Sequence, residues 1–319
     1  MAKPSERTEE ERRYWADLTH IAFLDALMTK SGLAAREIAF QGGTSLHLSW
    51  RSPRFSEDLD FLIAQENPHQ KLIVAMPAIK KRIERFMVGA GAAHGALSEI
   101  EIIDKTKDPN RLIVFDLRLS HVARIDKVQV KAEFWRVPKD YLSRYDTVLK
   151  MPTWQSEDLI GRVESASPIN TGTLKSIMAD KMVAMAYRPR VKWRDIFDVW
   201  WLNQHLSALT KEGFATLTER VLWYAQAYTG PNAGLGLAAG PNLAAGLRKF
   251  LSQKDVLLAQ KGLDLFRWLP RSVARMMLPD HVEEMVSTAM EYAQGVLNEI
   301  EAQDDDLMPD SHPTRGPLP

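Results

Sequence analysis

Two periods of apolar residues alternate along this chain. Between Tyr14 and Lys30, Trp15, Leu18, Ile21, Ala22 and Met28 fall at helical spacing with Asp25, and Gly32 marks a stop. A short apolar run, Ile38-Ala39-Phe40, leads into Gly42-Gly43, and Thr44 to Trp50 returns to helical spacing. The pattern is strand, glycine turn, helix. Pro53 interrupts it, and Leu59 to Ile63 predicts a second strand. Leu72 to Val88 predicts a basic amphipathic helix, followed by a small-residue loop from Gly89 to Gly95.

Glu99 to Ile103, Leu112 to Leu119 and Lys127 to Phe134 predict three further strands. The third alternates strictly. Val128, Val130, Ala132 and Phe134 share one face, and Lys127, Gln129, Lys131 and Glu133 the other. From Thr173 to about Ile300 the spacing is helical, broken by a Gly/Ala/Pro/Asn-rich stretch from Thr229 to Gly246 that predicts an internal loop. The expected fold class is therefore α+β, a small mixed sheet followed by a helical C-terminal domain. Residues 1–160 form the first part and 161–300 the second, with the boundary near Pro152 to Thr173, where Ser, Pro and Gly cluster. Residues 301–319, acidic and then Pro-rich, read as a disordered tail.

Composition narrows the function. With 45% hydrophobic and 26% charged residues, the 319-residue chain is an ordinary globular one. Lys+Arg and Asp+Glu are both 41, so any nucleic-acid contact must come from local patches. Two such patches stand out. One holds Lys175, Lys181, Arg188, Arg190, Lys192 and Arg194 against the single acid Asp180; the other is Lys80, Lys81, Arg82 and Arg85. With 0 cysteines there is no disulfide, zinc ribbon or thiol nucleophile, which suits a reducing compartment. The 8 histidines form no His-x-x-x-His pair. No apolar run is long enough to span a bilayer, and Met1 to Arg13 is charged, so a cytoplasmic protein without membrane contact is expected.

Chemistry concentrates in one stretch. Gly42 and Gly43 before a helix allow close approach of an anion to backbone N–H groups at a positive helix end. Asp58 and Asp60, two apart on a strand, leave the same face. Paired carboxylates repel unless a cation sits between them, and hard oxygen ligands suit Mg²⁺ completed by substrate phosphates. Phosphoryl or nucleotidyl transfer needs this combination.

Gly42-Gly43-Thr44 followed by Arg54-Phe55-Ser56-Glu57-Asp58-Leu59-Asp60-Phe61 resembles the signature of the AbiEii/AbiGii toxin family, within the DNA polymerase β-type nucleotidyltransferase superfamily. A second similarity lies downstream, in Ala179 to Ala184 with Lys181, then Tyr187-Arg188, then Arg194-Asp195-Ile196-Phe197-Asp198. The resemblance implies a third carboxylate on a later strand. Glu133 fits best, with Asp116 as competitor. It further implies two Mg²⁺ ions on Asp58, Asp60 and Glu133, and an NTP held by Gly42, Gly43, Thr44, Ser45, Ser56 and Lys181. Asp195 would orient the lysine or substrate, and Asp198 reads as a solvated first-turn acid. The implied function is a toxin that transfers NMP to the tRNA 3′ end and blocks translation, partnered by an AbiEi-like antitoxin. A protein hydroxyl or small molecule as acceptor, and an inactive nucleotide-sensing module, are the alternatives.

Overall fold

The computed structural model describes residues 6–91, 97–121, 124–155, 162–165, 167–207, 210–229, 243–277 and 280–306. Helix α1 (Glu9–Lys30) begins ahead of the apolar repeat because Thr8 and Glu11 form a capping box: Glu11 N donates to Thr8 Oγ1 (3.1 Å) and Thr8 N to the Glu11 carboxylate (2.9 Å). Strand β1 (Ile38–Gln41), helix α2 (Gly42–Trp50) and strand β2 (Asp58–Ile63) follow as the sequence predicts. Helix α3 (Pro68–Gly91) precedes three strands, β3 (Leu97–Asp104), β4 (Leu112–His121) and β5 (Val128–Arg136).

The stretch Pro152 to Thr173, where the sequence places the boundary, carries short strands among its described residues. After a short α4 (Lys139–Arg144) come β6 (Thr147–Lys150), a β7 (Thr153–Gln155) and β8 (Arg162–Glu164) hairpin, and β9 (Ile169–Gly172). The main sheet has seven strands in the order β3-β4-β5-β2-β1-β9-β6. Only β2 with β5 and β1 with β9 run parallel. These late strands are three or four residues long, too short to show a period, and β9 is defined by its partners, β6 along its whole length and β1 at Phe40.

The C-terminal helices are α5 (Leu174–Tyr187), α6 (Trp193–His205), α7 (Lys211–Thr229), α8 (Leu243–Leu251), α9 (Lys254–Gln260), α10 (Arg271–Met277) and α11 (Val282–Asp306). Helix α11 carries Val296, Leu297 and Ile300 into the core, and Glu301 pairs with Arg248 at 2.6 Å, so the helix continues through residues expected as tail. The expected Gly89–Gly95 and Thr229–Gly246 loops and the rest of the tail fall largely outside the described residues. No described helix is long and apolar enough to cross a membrane.

Alternation assigns the two faces of the sheet. Leu59, Phe61 and Ile63 of β2, with Phe115 and Phe134, pack under α1 and α3; Phe61 and Phe134 stack at 4.7 Å. On the opposite face Ala39, Leu62 and Ala64 join a second core with Met178, Met182, Ile196 and Phe197 of α5 and α6. Asp58 and Asp60 share this second face with Leu62, so the acids sit where the sheet turns towards the helices.

Candidate active site

The parallel pairing of β2 and β5 sets Asp58 opposite Lys131 and Asp60 opposite Glu133. Burial, then repulsion from Glu133 and Asp58, pushes the Asp60 carboxyl up to about 7, against the pull of Lys181 and Arg194. Burial and Asp58 likewise raise Glu133, opposed by Lys131. The three carboxyls therefore form one coupled group. Asp116 lies a strand farther out, opposite Lys131 on β4, buried and held by Arg118 at 2.8 Å. Of the two candidates for a third acid, Glu133 is the one beside Asp60.

The glycine pair has specific neighbours. Gly42 has φ 77°, and a Cβ there would come 2.5 Å from Asp60 Oδ2. A Cβ on Gly43 would overlap Arg54 Nη2 and reach within 3.1 Å of Ser56 Oγ. Gly43 thus makes room for an arginine, a role its sequence context does not reveal. Two of the three hydroxyls expected to face a nucleotide are engaged internally, Thr44 donating to the Asp58 carbonyl and Ser45 to the Gly42 carbonyl (2.8 Å), while Ser56 stands half-buried beside Gly43. Within α2 this leaves the backbone N–H groups of its first turn, where no side chain caps the helix, as the anion-facing donors.

Arg54 is buried at 1% exposure and grips Asp198 through both prongs, Nε to Oδ1 at 2.6 Å and Nη2 to Oδ2 at 2.8 Å. Asp198 also takes Lys181 Nζ at 2.8 Å, and Lys181 reaches Asp195 Oδ1 at 3.0 Å. Arg188 completes the chain on the other oxygen of Asp195. Asp198 is therefore no solvated first-turn acid: it is fully buried, and although burial raises its carboxyl, Arg54 and Lys181 outweigh that and hold it below the ordinary range. Burial brings Lys181 down to about 8, with Asp198 pulling up and Arg54 and Arg188 pushing down. Lys181 is not snorkelling, since it stands between two buried carboxylates. Counting formal charges, Arg54, Lys181 and Arg188 against Asp195 and Asp198 leave this cluster one positive charge in excess.

Lys181 and Arg194 both act on Asp60, and Lys192, lowered by burial and by Arg194 and Arg188, feels Asp58. Strand acids and helix cations thus lie close enough to act on one another. The basic residues of α3 do not join them. Arg82 is tied to buried Asp25 at 2.7 Å, Lys80 pairs with Glu84, and α3 covers the other face of the sheet. Arg188, expected among RNA-binding residues, is committed to Asp195.

Among the described residues no preformed cage of three or more His, Asp or Glu ligands is gathered. The donor set nevertheless suits a divalent cation. Gln41, in register opposite Asp60, is buried with its Oε1 lacking a hydrogen-bond partner among the described residues, next to carboxyls whose mutual repulsion no protein cation quenches. Hard oxygen donors with an unbalanced negative charge fit Mg²⁺ completed by phosphate oxygens.

The repulsion has a measurable consequence without any ligand. Asp60 binds its proton more tightly in the folded chain than in the unfolded one, so this group's contribution to stability falls as pH rises from about 4 towards 7. Asp60→Asn removes that penalty. The variant should melt at least ~2 °C higher than the parent at pH 8 in EDTA, with the gap closing towards pH 5. Differential scanning calorimetry at the two pH values checks it, and an equal gap at both would contradict the coupled group.

No curated protein sequence matches the chain. JHP933 from Helicobacter pylori has a similar structure, with 19% identity over 93% of this chain and 97% of that one and a TM-score of 0.49. MenT4, a nucleotidyltransferase toxin from Mycobacterium tuberculosis, matches with 14% identity over 93% and 94% of the two chains, also at TM-score 0.49. The family model for the nucleotidyl transferase AbiEii toxin of type IV toxin–antitoxin systems matches residues 23–259, which include every acid, glycine and lysine described above. The chain belongs to the AbiEii nucleotidyltransferase toxin family.

Proposed function

We propose that this chain is a Mg²⁺-dependent nucleotidyltransferase toxin that adds NMP to the 3′ end of tRNA and so stops translation. The observation that carries the reading is the proximity of three coupled carboxyls (Asp58, Asp60, Glu133) and a buried cluster with one excess positive charge around Lys181. A metal–triphosphate ligand has the complementary layout, cations at one end and anionic oxygens at the other. Asp58, Asp60 and Glu133 would hold the divalent cations, which supply Lewis-acid stabilisation of the charge developing on the transferred phosphate.

The protein's own groups do the rest. First-turn N–H groups of α2 and Lys181 hold the triphosphate, with Asp195 and Asp198 aiming the lysine. Glu133, its carboxyl raised above the ordinary carboxylate range by burial and by Asp58, takes the proton of the acceptor hydroxyl. The hydroxyl oxygen bonds to the α-phosphorus, the bond to the β-phosphate oxygen breaks, and pyrophosphate leaves with the electron pair. Arg190 and Lys192, at the exposed edge, would meet phosphates of the acceptor. An AbiEi-like antitoxin would restrain the activity in the cytoplasm.

Incubating the chain with Mg²⁺, each α-labelled NTP and total cell extract tests the reading. Label is expected in the tRNA fraction, and Asp58→Ala should lower it by at least about 10³-fold while the melting temperature holds. Label in protein or small molecules would reassign the acceptor, and no label with any NTP would leave a nucleotide-sensing module.

Gly43 and Arg54 should behave as one unit. Gly43→Ala, Arg54→Lys and the double variant are each expected to lose on the order of tenfold or more in kcat/KM, with the double no worse than the singles. Additive losses in a double-mutant cycle would separate the two residues.

Lys181, lowered to about 8, carries its charge below that pH and loses it above. The KM for NTP should therefore rise from pH 7.5 to pH 9 in steady-state kinetics. Lys181→Arg should flatten the rise while lowering kcat, since a planar fork replaces a point charge.

A further inference from the structure

The loop that leads into Asp58 also walls a cavity of about 570 Å³, within the range of ligand pockets. The cavity gathers side chains from four parts of the chain: Arg12 and Arg13 of α1, Ser56 before β2, Lys127 before β5, and Arg267 and Trp268 between α9 and α10. Its lining includes no residue of α2, α5 or α6, although Ser56 borders Gly43 and Arg194 of α6 lies over the Trp268 ring. Four of these six residues, Arg12, Arg13, Arg267 and Trp268, lie outside the stretch that matches the family. Both flanks of the common core thus converge on the catalytic loop. The convergence is fixed by specific bonds: Phe55 N donates to the Trp268 carbonyl at 2.7 Å, and the Arg13 guanidinium donates to the Arg267 carbonyl and lies 4.7 Å over the Phe55 ring.

The chemistry of the lining is cationic, with five basic side chains against three acidic ones. Of the acids, Asp17 is turned away to His20 and His47. The side chains of Arg12, Lys127 and Arg267 are 51%, 47% and 61% exposed and pair with the carboxylates of Asp126, Glu101 and Glu57 respectively, Arg267 lying also over the Trp268 ring. Exposed pairs of this kind contribute ~1 kcal/mol or less, so a phosphate can replace the carboxylate at little cost. An in-line displacement brings acceptor and leaving group to opposite sides of the transferred phosphorus. The cavity opens on Ser56 and Glu57, the two residues immediately before Asp58, and has no lining residue from α5 or α6, the helices that carry Lys181 and Asp195.

We propose that this cavity receives the 3′-terminal nucleotide of an RNA strand, with its phosphodiester among Arg12, Lys127 and Arg267. The proposal rests on the nucleotidyl-transfer reading above and names the site that selects the acceptor. Protein acceptors carry a hydroxyl but no repeating phosphate, and would leave three exposed cations without a purpose.

The test uses the full chain and two binding measurements that need no turnover. A fluorescent single-stranded RNA with a free 3′ hydroxyl is titrated by anisotropy across a salt series, and a non-hydrolysable NTP with Mg²⁺ is titrated by calorimetry. The variant Arg12→Gln/Lys127→Gln/Arg267→Gln should bind the RNA at least tenfold more weakly, with a salt slope lower by about 2, and bind the NTP within twofold of the parent. Arg12→Lys/Arg267→Lys keeps the charges and should hold RNA affinity within about threefold, which separates lost phosphate contacts from lost folding. Unchanged RNA affinity and slope in the triple variant would overturn the proposal. So would loss of NTP binding in its place, which would make the cavity part of the NTP site. A parent chain that binds no RNA yet labels protein or a small molecule would overturn the proposal while leaving nucleotidyl transfer standing.

Discussion

The structure depends on how it buries the charges of Arg54, Asp198, Lys181, Asp195 and Arg188. Ionised groups taken out of water cost several kcal/mol each, and only close, well-directed partners offset that. Here each carboxylate is shared between the lysine and one arginine, so no member can leave without stranding another. The cluster also fixes the positions of three segments, because Arg54 belongs to the loop before β2, Lys181 to α5, and Asp195 and Asp198 to α6. The sheet and the helical half are therefore joined by charge as well as by the apolar core around Leu62, Met178 and Phe197.

Arg54 must be aimed, and the structure beneath its loop does this. Asp17 of α1 sits between His20 (3.4 Å) and His47 (3.2 Å). Burial raises the Asp17 carboxyl, but the two histidines bring it down to about 2. His47 faces acceptors at both ring nitrogens, Asp17 at Nε2 and the Ser52 carbonyl at Nδ1 (2.9 Å), so both nitrogens donate and the ring is an imidazolium. Its raised pKa agrees, Asp17 outweighing burial. His20 Nε2 meets the Glu57 carbonyl at 3.1 Å. The loop is thus held at Ser52 and at Glu57, with Arg54 between them.

How much of this was legible in the sequence depends on distance along the chain. Asp58 and Asp60 share a strand, so period 2 alone puts them on one face, and the alternation from Lys127 to Phe134 puts Glu133 on the polar side of its own strand. The capping box at Thr8 and Glu11 was equally local, but it precedes the apolar repeat used to place the helix. The rest needed partners far away. Asp198 looks like a solvated helix-start acid until Arg54, 144 positions earlier, is placed against it. Gly43 looks like a phosphate-cradling glycine until the same arginine fills the space a Cβ would need. Strand β9 is four residues long and becomes visible only beside β6 and β1, so a stretch rich in Ser, Pro and Gly read as a boundary.

A chain with zero net charge can still present a polyanion with strong local fields, because net charge says nothing about how charges are segregated. Here the segregation has two stages. The carboxyls of Asp58, Asp60 and Glu133 repel one another on the sheet, while an excess positive charge is locked into α5, α6 and the Arg54 loop. Neither imbalance can relax by moving towards the other, since the first is fixed by strand register and the second by shared ion pairs. Each therefore remains unsatisfied in the folded chain. Within this site, a ligand carrying cations on one side and phosphate oxygens on the other relieves both at once, whereas a bare cation or a bare phosphate relieves only one.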